Sequence, residues 1–451
     1  MKRGISLLLA MLMVFSLLTG CGQSQNNEPT RTTGEATAAP ETTAPEKEKE
    51  ALTGTLSLYG SKDAWRETFA PVADLIAKEK GIKLDIVTLP DEQIESVISV
   101  KLSTNDAPDL FMSNAPQTVD LYNATETCEV LDNEPWVERL AAPDLLRYKG
   151  DGKIYAMPSR ESSSFFGGAY YNKELMKKMG FENPQPKTYQ EFLDICEAIK
   201  KQGVTPIWMT DKDAWCTQVW TTVGWAAAVA DQAPGIYEKL NTNKLKFADV
   251  PEFVTVLQNL QDLHTAGYTN KDHMSQTYDT AKAAIAEGKA VMAIQGEWFA
   301  TDVHALYPDV ELGSFAIPFL DKQMIGTGAF VTGFFVPKGG NVELAKTWLN
   351  YWSQPEYLNK VFVDTAGFPA FKDVEGGEVL PAITNIVDNF IKTGKYTNEF
   401  DSYFDAARPV LNDTLFGNIQ EVTIGKPAKE ALQAWDEKFQ QFMKDKEMPG
   451  F

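Results

Sequence analysis

Thiol and imidazole side chains are scarce in this chain of 451 residues, which has four cysteines and three histidines. The cysteines, Cys21, Cys128, Cys196 and Cys216, share no short repeated spacing, so neither a disulfide framework nor a zinc site is read from them. His264, His273 and His304 do not have the spacing of a zinc-binding helix, which speaks against a hydrolytic metal centre. A Gly-x-Ser-x-Gly elbow, a phosphate loop and a dinucleotide fingerprint are all missing. Gly326, Thr327 and Gly328 read as loop punctuation, and Asp211 with Asp213 lacks the Gly and Glu of a calcium loop. The expectation is therefore no metal, no cofactor and no enzyme. Carboxylate pairs for glycoside hydrolysis stay open, because such residues lie far apart in sequence. Basic charge is also short: 42 Lys and Arg stand against 62 Asp and Glu, a net charge of -20. That balance argues against nucleic acid and against charge-driven binding to anionic lipid, and fits an acidic solvated surface. The apolar run Ile5 to Leu18 is shorter than the ~20 residues a membrane span needs.

That run is informative in another way. Lys2 and Arg3 precede it, and Leu18, Thr19, Gly20 and Cys21 follow it. Cationic, apolar and small-residue segments in this order make a signal peptide, and the last four residues resemble the lipobox of bacterial lipoproteins. The resemblance implies cleavage after residue 20 and a diacylglycerol on the Cys21 thiol. Residues 22–50 carry no aromatic side chain and no aliphatic one larger than Ala, so they cannot bury enough surface to offset ordering. Residues 21–50 thus read as a lipidated Cys and a disordered tether, whose r.m.s. span is about 30 Å for a flexible chain of ~30 residues.

From Ala51 to Phe451 the length exceeds that at which a single core stops growing, so two lobes are expected. Leu56 and Leu58 alternate as in a strand that Gly60 ends, and Trp65, Phe69, Val72 and Ile76 recur at helical spacing before a Gly81 C-cap. A strand over 82–88, a helix from Asp91 and a strand over 108–112 complete a strand-helix-strand-helix-strand pattern. Alternation of this kind predicts a parallel sheet with ligand beyond the carboxyl ends of its strands. Lys153 to Ala156 reads as a further strand. Thr188 with Glu191 makes a capping-box start for a helix ending at Gly203. Helical spacing over 280–287 precedes an apolar strand, Ala290 to Ile294, that delivers Gln295 to Trp298 to its end, and 429–444 reads as a docking helix.

Four of the ten tryptophans, Trp208, Trp215, Trp220 and Trp225, fall in one short segment with Asp211 and Asp213. Sugars present apolar C–H faces and hydroxyl rims, so a sugar site needs flat aromatic platforms beside amide and carboxylate partners. Asp213 and Trp215 offer one of each, with Trp225 nearby. A second reading makes Trp215, Val219, Trp220 and Val223 the buried stripe of a helix.

Five segments in order carry a family resemblance: Gly152 to Pro158; Tyr170 to Leu175; Pro186, Thr188, Glu191 and Phe192 with Gly203, Thr205 and Pro206; Gly288 to Trp298; and Phe335 to Gln354. Together they resemble the extracellular solute-binding proteins of carbohydrate ABC importers, the maltose-binding-protein group. The resemblance implies an α/β periplasmic-binding-protein type II fold, with two α/β lobes, a hinge and an interlobe ligand cleft. Lobe one is expected over 51–162 plus 317–364, and lobe two over 163–316 plus 365–451. It implies ligand contacts from Asp63 and Trp65, Ser113 and Asn114, Glu161, Trp298 as the stacking platform, and Arg408. Asp109 is expected to be structural. The implied partners are a carbohydrate, the transmembrane subunits of an ABC permease and, through the lipid, the membrane of a Gram-positive cell surface, with the protein a monomer and no nucleic acid bound. A receptor for a non-sugar solute, a surface sensor and an anchored glycan-degrading enzyme are the alternatives.

Overall fold

The computed structural model describes residues 52–161, 164–328, 331–362, 368–377, 379–404 and 415–451. Cys21, the tether and Arg408 lie outside the described residues. Period-two segments at the start of the body become β1 (Gly54–Ser61), β2 (Ile82–Leu89) and β3 (Leu110–Ala115), with β1 parallel to both neighbours. Between them run the helices Ala70–Lys80 and Asp91–Ser103, the first closed by Gly81 at φ 73°, where its N–H bonds the Ala77 carbonyl. Two antiparallel strands complete this sheet, β4 (Ala156–Pro158) and a late strand, β12 (Val331–Phe335), in the order β2-β1-β3-β12-β4.

The second sheet is built on β5 (Ser164–Asn172), with β6 (Thr205–Ile207), β7 (Ala290–Gly296), β8 (Leu312–Ala316), β11 (Ile325–Gly328) and β13 (Tyr396–Asn398). Its path is β13-β11-β5-β7-β6, and β8 also pairs with β5. A small hairpin, β9 (Pro318–Phe319) with β10 (Lys322–Gln323), joins β8 to β11.

Each sheet has its own apolar core. Leu58, Phe111, Phe334, Trp348 and Trp352 belong to the first, and Phe192, Trp220, Phe253, Phe315 and Trp435 to the second. Two lobes of mixed α/β structure therefore stand as expected, but two boundaries move. Ile317 and Phe319 lie in the second core and β11 pairs with β5, so residues 317–328 remain with lobe two rather than returning at 317. Gly326 to Gly328 form a strand rather than a loop, because a Cβ at Gly326 would lie 2.5 Å from Val223 of the packed helix Ala214–Ala228. Downstream, Ala370, Phe371 and Val374 pack in the first core, so lobe one extends past 364.

Local rules account for several joints. Thr188 caps the helix Tyr189–Lys201 by accepting from the Glu191 N–H, while the Glu191 carboxylate accepts from Lys187 N. Asp109 accepts from Ser57 N, Ser57 Oγ and Asn341 N, tying β1 to the start of β3 and to the helix Val342–Trp352. Burial opposes its ionisation, yet the Asn341 and Ser57 bonds outweigh burial and hold the carboxyl below its ordinary value. Asp436, on the C-terminal helix Ala428–Asp445, accepts from Phe247 N and Ala248 N and docks that helix on lobe two.

Candidate functional site

The segment after β1 in lobe one meets the helix that follows β7 in lobe two, through Arg66 and Asp302. After β1 the chain turns sharply: Trp65 N bonds Ser61 O, and Ser61 Oγ accepts from Ala64 N. This turn presents Asp63, Trp65 and Arg66. Burial first, then Asp91 and Asp279, push the Asp63 carboxyl up to about 8, with Lys282 opposing. Asp279 and Lys282 sit on the lobe-two helix Tyr278–Ala286, so Asp63 is enclosed by both lobes. Trp65 stacks edge-on against Phe69 at 5.6 Å and lies 6.4 Å from Trp352, so one side of its ring leans on the first core.

Arg66 reaches across to lobe two. Its guanidinium lies 3.4 Å from Asp302 on the helix Glu297–Leu306 and 3.6 Å from Glu161 at the first crossover. Asp302 also accepts from Tyr278 Oη at 2.8 Å. Glu161 pairs with the buried Arg160; burial raises its carboxyl, and Arg160 with Arg66 outweighs that and holds it below its ordinary value. A second interlobe bond runs from Gln117 Nε2 to Glu399 Oε1 at 2.6 Å.

Lobe two supplies the aromatic wall. Trp298, at the first turn of its helix, lies 6.3 Å from Trp215 and 6.0 Å from Phe166, and Trp215 lies 5.0 Å from Tyr278. Gly296 makes this possible, since a Cβ there would be 2.2 Å from the Trp298 ring. The indole N–H groups of Trp208, Trp215 and Trp298 have no hydrogen-bond partner, and the three rings pack partly buried on one apolar cluster. Trp136, Trp348 and Trp435 share that lack, but their rings are sealed inside the cores. Beside the wall, Glu297 accepts from Phe165 N at 2.6 Å; burial and Glu161 push its carboxyl up to about 8 against the pull of that N–H and of Arg66.

The sequence expectations fare unevenly. Asp63, Glu161, Trp215 and Trp298 converge on this region through the contacts above, whereas the contacts of Trp65, to Phe69 and Trp352, stay within lobe one. Asp213 stands beside it, but its Oδ2 is occupied by the Tyr278 N–H at 2.6 Å, so it caps the helix that carries Asp279 and Lys282. Ser113 and Asn114 end β3; Ser113 Oγ bonds Tyr122 Oη at 3.2 Å and Asn114 Oδ1 accepts from Thr332 Oγ1 at 3.0 Å, both within lobe one. Trp225 is a correction: its ring is fully buried and its Nε1 donates to Phe253 O at 3.0 Å, because the helix Ala214–Ala228 turns this face into the second core. Trp220 is likewise a core residue, bonded to Val256 O. Arg66, Tyr278, Glu297 and Asp302 were not singled out from sequence, since their partners lie on separate segments. Cys128, Cys196 and Cys216 are buried free thiols.

A family profile described as bacterial extracellular solute-binding protein matches residues 72–385, more than half of the chain. The chain belongs to that family. Among relatives of this solute-binding protein, the multiple sugar-binding protein of Streptococcus mutans is 23% identical over 355 residues, covering 75% of this chain and 81% of that one. The melibiose/raffinose/stachyose-binding protein MelE of Bacillus subtilis is 23% identical over 376 residues, covering 80% and 81%. An uncharacterised ABC transporter extracellular-binding protein of Pyrococcus horikoshii is 28% identical over 227 residues, and there the match spans only 48% of the relative's length. The structure described as RafE in complex with raffinose superposes with a TM-score of 0.72 at 20% identity, covering 86% of this chain and 100% of that one. A chitin oligosaccharide binding protein gives a TM-score of 0.70 at 21% identity, covering 86% and 99%. These superpositions show that the chain shares its two-lobed α/β fold with those proteins.

Proposed function

We propose that this solute-binding protein captures an oligosaccharide between its lobes and hands it, chemically unchanged, to an ABC permease. The observation that carries this reading is the wall of Trp208, Trp215 and Trp298, three partly buried rings on one apolar cluster whose flat faces match the apolar C–H faces of a sugar. Trp298 is the stacking platform. Asp63 and Trp65 approach the ligand from lobe one, with Asn114 and Glu161 flanking them. The names of the Streptococcus and Bacillus relatives point to the same ligand class. Binding energy gained only when both lobes touch the sugar would shift the population toward the closed form, which the permease reads.

Cys21 carries the lipid in this proposal, and the following residues tether the receptor to the outer face of a Gram-positive membrane. Metabolic labelling with a fatty-acid analogue should mark the wild type and spare Cys21→Ser. Native mass spectrometry of the freshly purified protein should show a co-purified or added oligosaccharide at one per chain. Release of new reducing ends from that sugar would favour an enzyme instead.

A further inference from the structure

Behind the aromatic wall lies a cluster that sugar capture does not use. Asp211, in the loop after β6, is completely buried. Its Oδ2 lies 2.7 Å from His273 Nδ1 and 3.5 Å from His264 Nε2. These three ligand-type atoms all fall within 4.8 Å of one another. His264 ends the helix Pro251–Thr265, and His273 opens the short turn His273–Ser275. Two of the chain's three histidines thus converge on one buried carboxylate, 62 residues from His273 in sequence, a separation at which no spacing motif is visible.

We propose that Asp211, His264 and His273 form a binding site for one divalent transition metal of the zinc class. The hydrogen-bond inventory points to a ligand. The His264 side chain is only 7% exposed, and its Nε2 has no hydrogen-bond partner. Its other nitrogen, Nδ1, is held at 2.9 Å by Thr269 Oγ1, so an Nδ1–H donated to that hydroxyl leaves an Nε2 lone pair aimed into the cluster. Thr217 Oγ1 donates to Asp211 Oδ1 at 2.8 Å, which fixes the carboxylate plane with Oδ2 turned to both rings. Metal ligands are oriented by hydrogen bonds from an outer shell, and the Thr269 and Thr217 hydroxyls hold His264 and Asp211 in that way. A proton shared between His273 and Asp211 satisfies that pair alone, whereas a dication satisfies all three groups.

The two spacings to Asp211 suit a metal, and the two histidine nitrogens lie within 4.8 Å of each other and would draw together on an ion. Zinc takes N and O ligands at about 2.0–2.2 Å, which puts tetrahedral ligand atoms roughly 3.3 Å apart. His264 to Asp211 is already at that spacing. His273 to Asp211 must open by roughly half an ångström as the metal replaces the proton between them, and water fills the fourth position. A bound ion would rivet the helix end, the turn and the loop 210–213 together. Asp211 N also bonds His273 O at 3.0 Å, and Trp215 follows directly on this loop. The metal is therefore assigned a bracing role behind the sugar platform.

The test uses the full chain, stripped with a chelator and titrated with Zn2+ alone by calorimetry, then with Co2+ by visible spectroscopy. Expected are one Zn2+ per chain and the intense visible bands of four-coordinate cobalt, bleached by added Zn2+. His264→Gln and His273→Gln should weaken Zn2+ binding by at least about 100-fold while keeping the far-ultraviolet circular dichroism of the wild type. His304→Gln should bind as the wild type does. Should one of the two ligand variants fail to fold, the other carries the comparison, and His264→Gln removes no existing bond of Nε2. Absence of stoichiometric Zn2+ uptake, octahedral-type weak cobalt bands, or uptake unchanged in the ligand variants would overturn the site. None of these readings involves sugar, so they fail or succeed independently of the transport proposal.

Discussion

The guanidinium of Arg66 lies 3.4 Å from the carboxylate of Asp302, and this pair links a lobe-one turn to a lobe-two helix. Both side chains are about three-quarters covered, at 23% and 25% exposed, so the attraction is only partly screened. Tyr278 Oη holds Asp302 from the far side, so the carboxylate keeps one partner when the arginine is removed.

Replacing Arg66 with Met should therefore loosen the lobes without unfolding either core. Small-angle X-ray scattering of the ligand-free variant should give a larger radius of gyration than the wild type. Sugar affinity should fall about 5- to 30-fold, roughly 1–2 kcal/mol, because closure then costs more. An unchanged radius and affinity would show that the pair does not hold the lobes.

Two carboxyls give stability a definite pH dependence. Asp63 and Glu297 are each raised to about 8 from ordinary values near 4, so the folded protein keeps protons that the unfolded chain has shed. The stability contributed by these protons is complete below pH ~4, declines as pH rises, and is gone above pH ~8. Glu297→Gln keeps an oxygen for Phe165 N–H and removes the buried charge. The variant should melt about 2–5 °C above the wild type at pH 8.5, and nearly with it at pH 4.5. Equal shifts at the two pH values would contradict the buried-acid assignment.

Gly296→Ala tests the placement of Trp298 without touching the indole itself. The new Cβ would fall 2.2 Å from the ring, so the platform must swing away. Sugar affinity should drop about 10-fold or more, and the unfolding free energy should fall by the roughly 1–3 kcal/mol typical of overpacking. Retained affinity would place the platform elsewhere.

Trp225→Ala should behave in the opposite manner. Its ring packs against Phe253 and Phe400 in the second core, so truncation should cost about 3–5 kcal/mol of stability. At a temperature where the variant remains folded, its sugar affinity should match the wild type. A selective loss of affinity with normal stability would restore Trp225 to the binding surface.

Much of the fold was legible because periodicity is a local signal. Leu56 with Leu58, and Phe69 with Val72 and Ile76, revealed β1 and the helix after it, and the Gly81 cap followed from one residue. The strand over 325–328 was hidden because its two glycines look like a turn, whereas Gly326 is small to admit Val223. The lobe boundary near 317 differs because the packing of Ile317 and Phe319 in the second core is a tertiary fact. At the site, the resemblance pointed to Trp298 and clustering near acids to Trp215, and the two rings stand 6.3 Å apart in one wall. Trp225 misled, because a tryptophan-rich helix presents rings to the core as well as to the cleft, and spacing does not say which face is which. Arg66 with Asp302 and the cluster of Asp211, His264 and His273 depend on tertiary closure of distant segments. No local pattern carries them.

The most direct test of the central claim is isothermal titration of the wild type and Trp298→Ala with a panel of mono- and oligosaccharides that includes raffinose and chitin oligosaccharides. The wild type should bind at least one oligosaccharide at one per chain, and Trp298→Ala, compared at a temperature where it remains folded, should bind it about 10- to 100-fold more weakly. No saturable heat from any sugar, or identical affinities in the two proteins, would contradict the account.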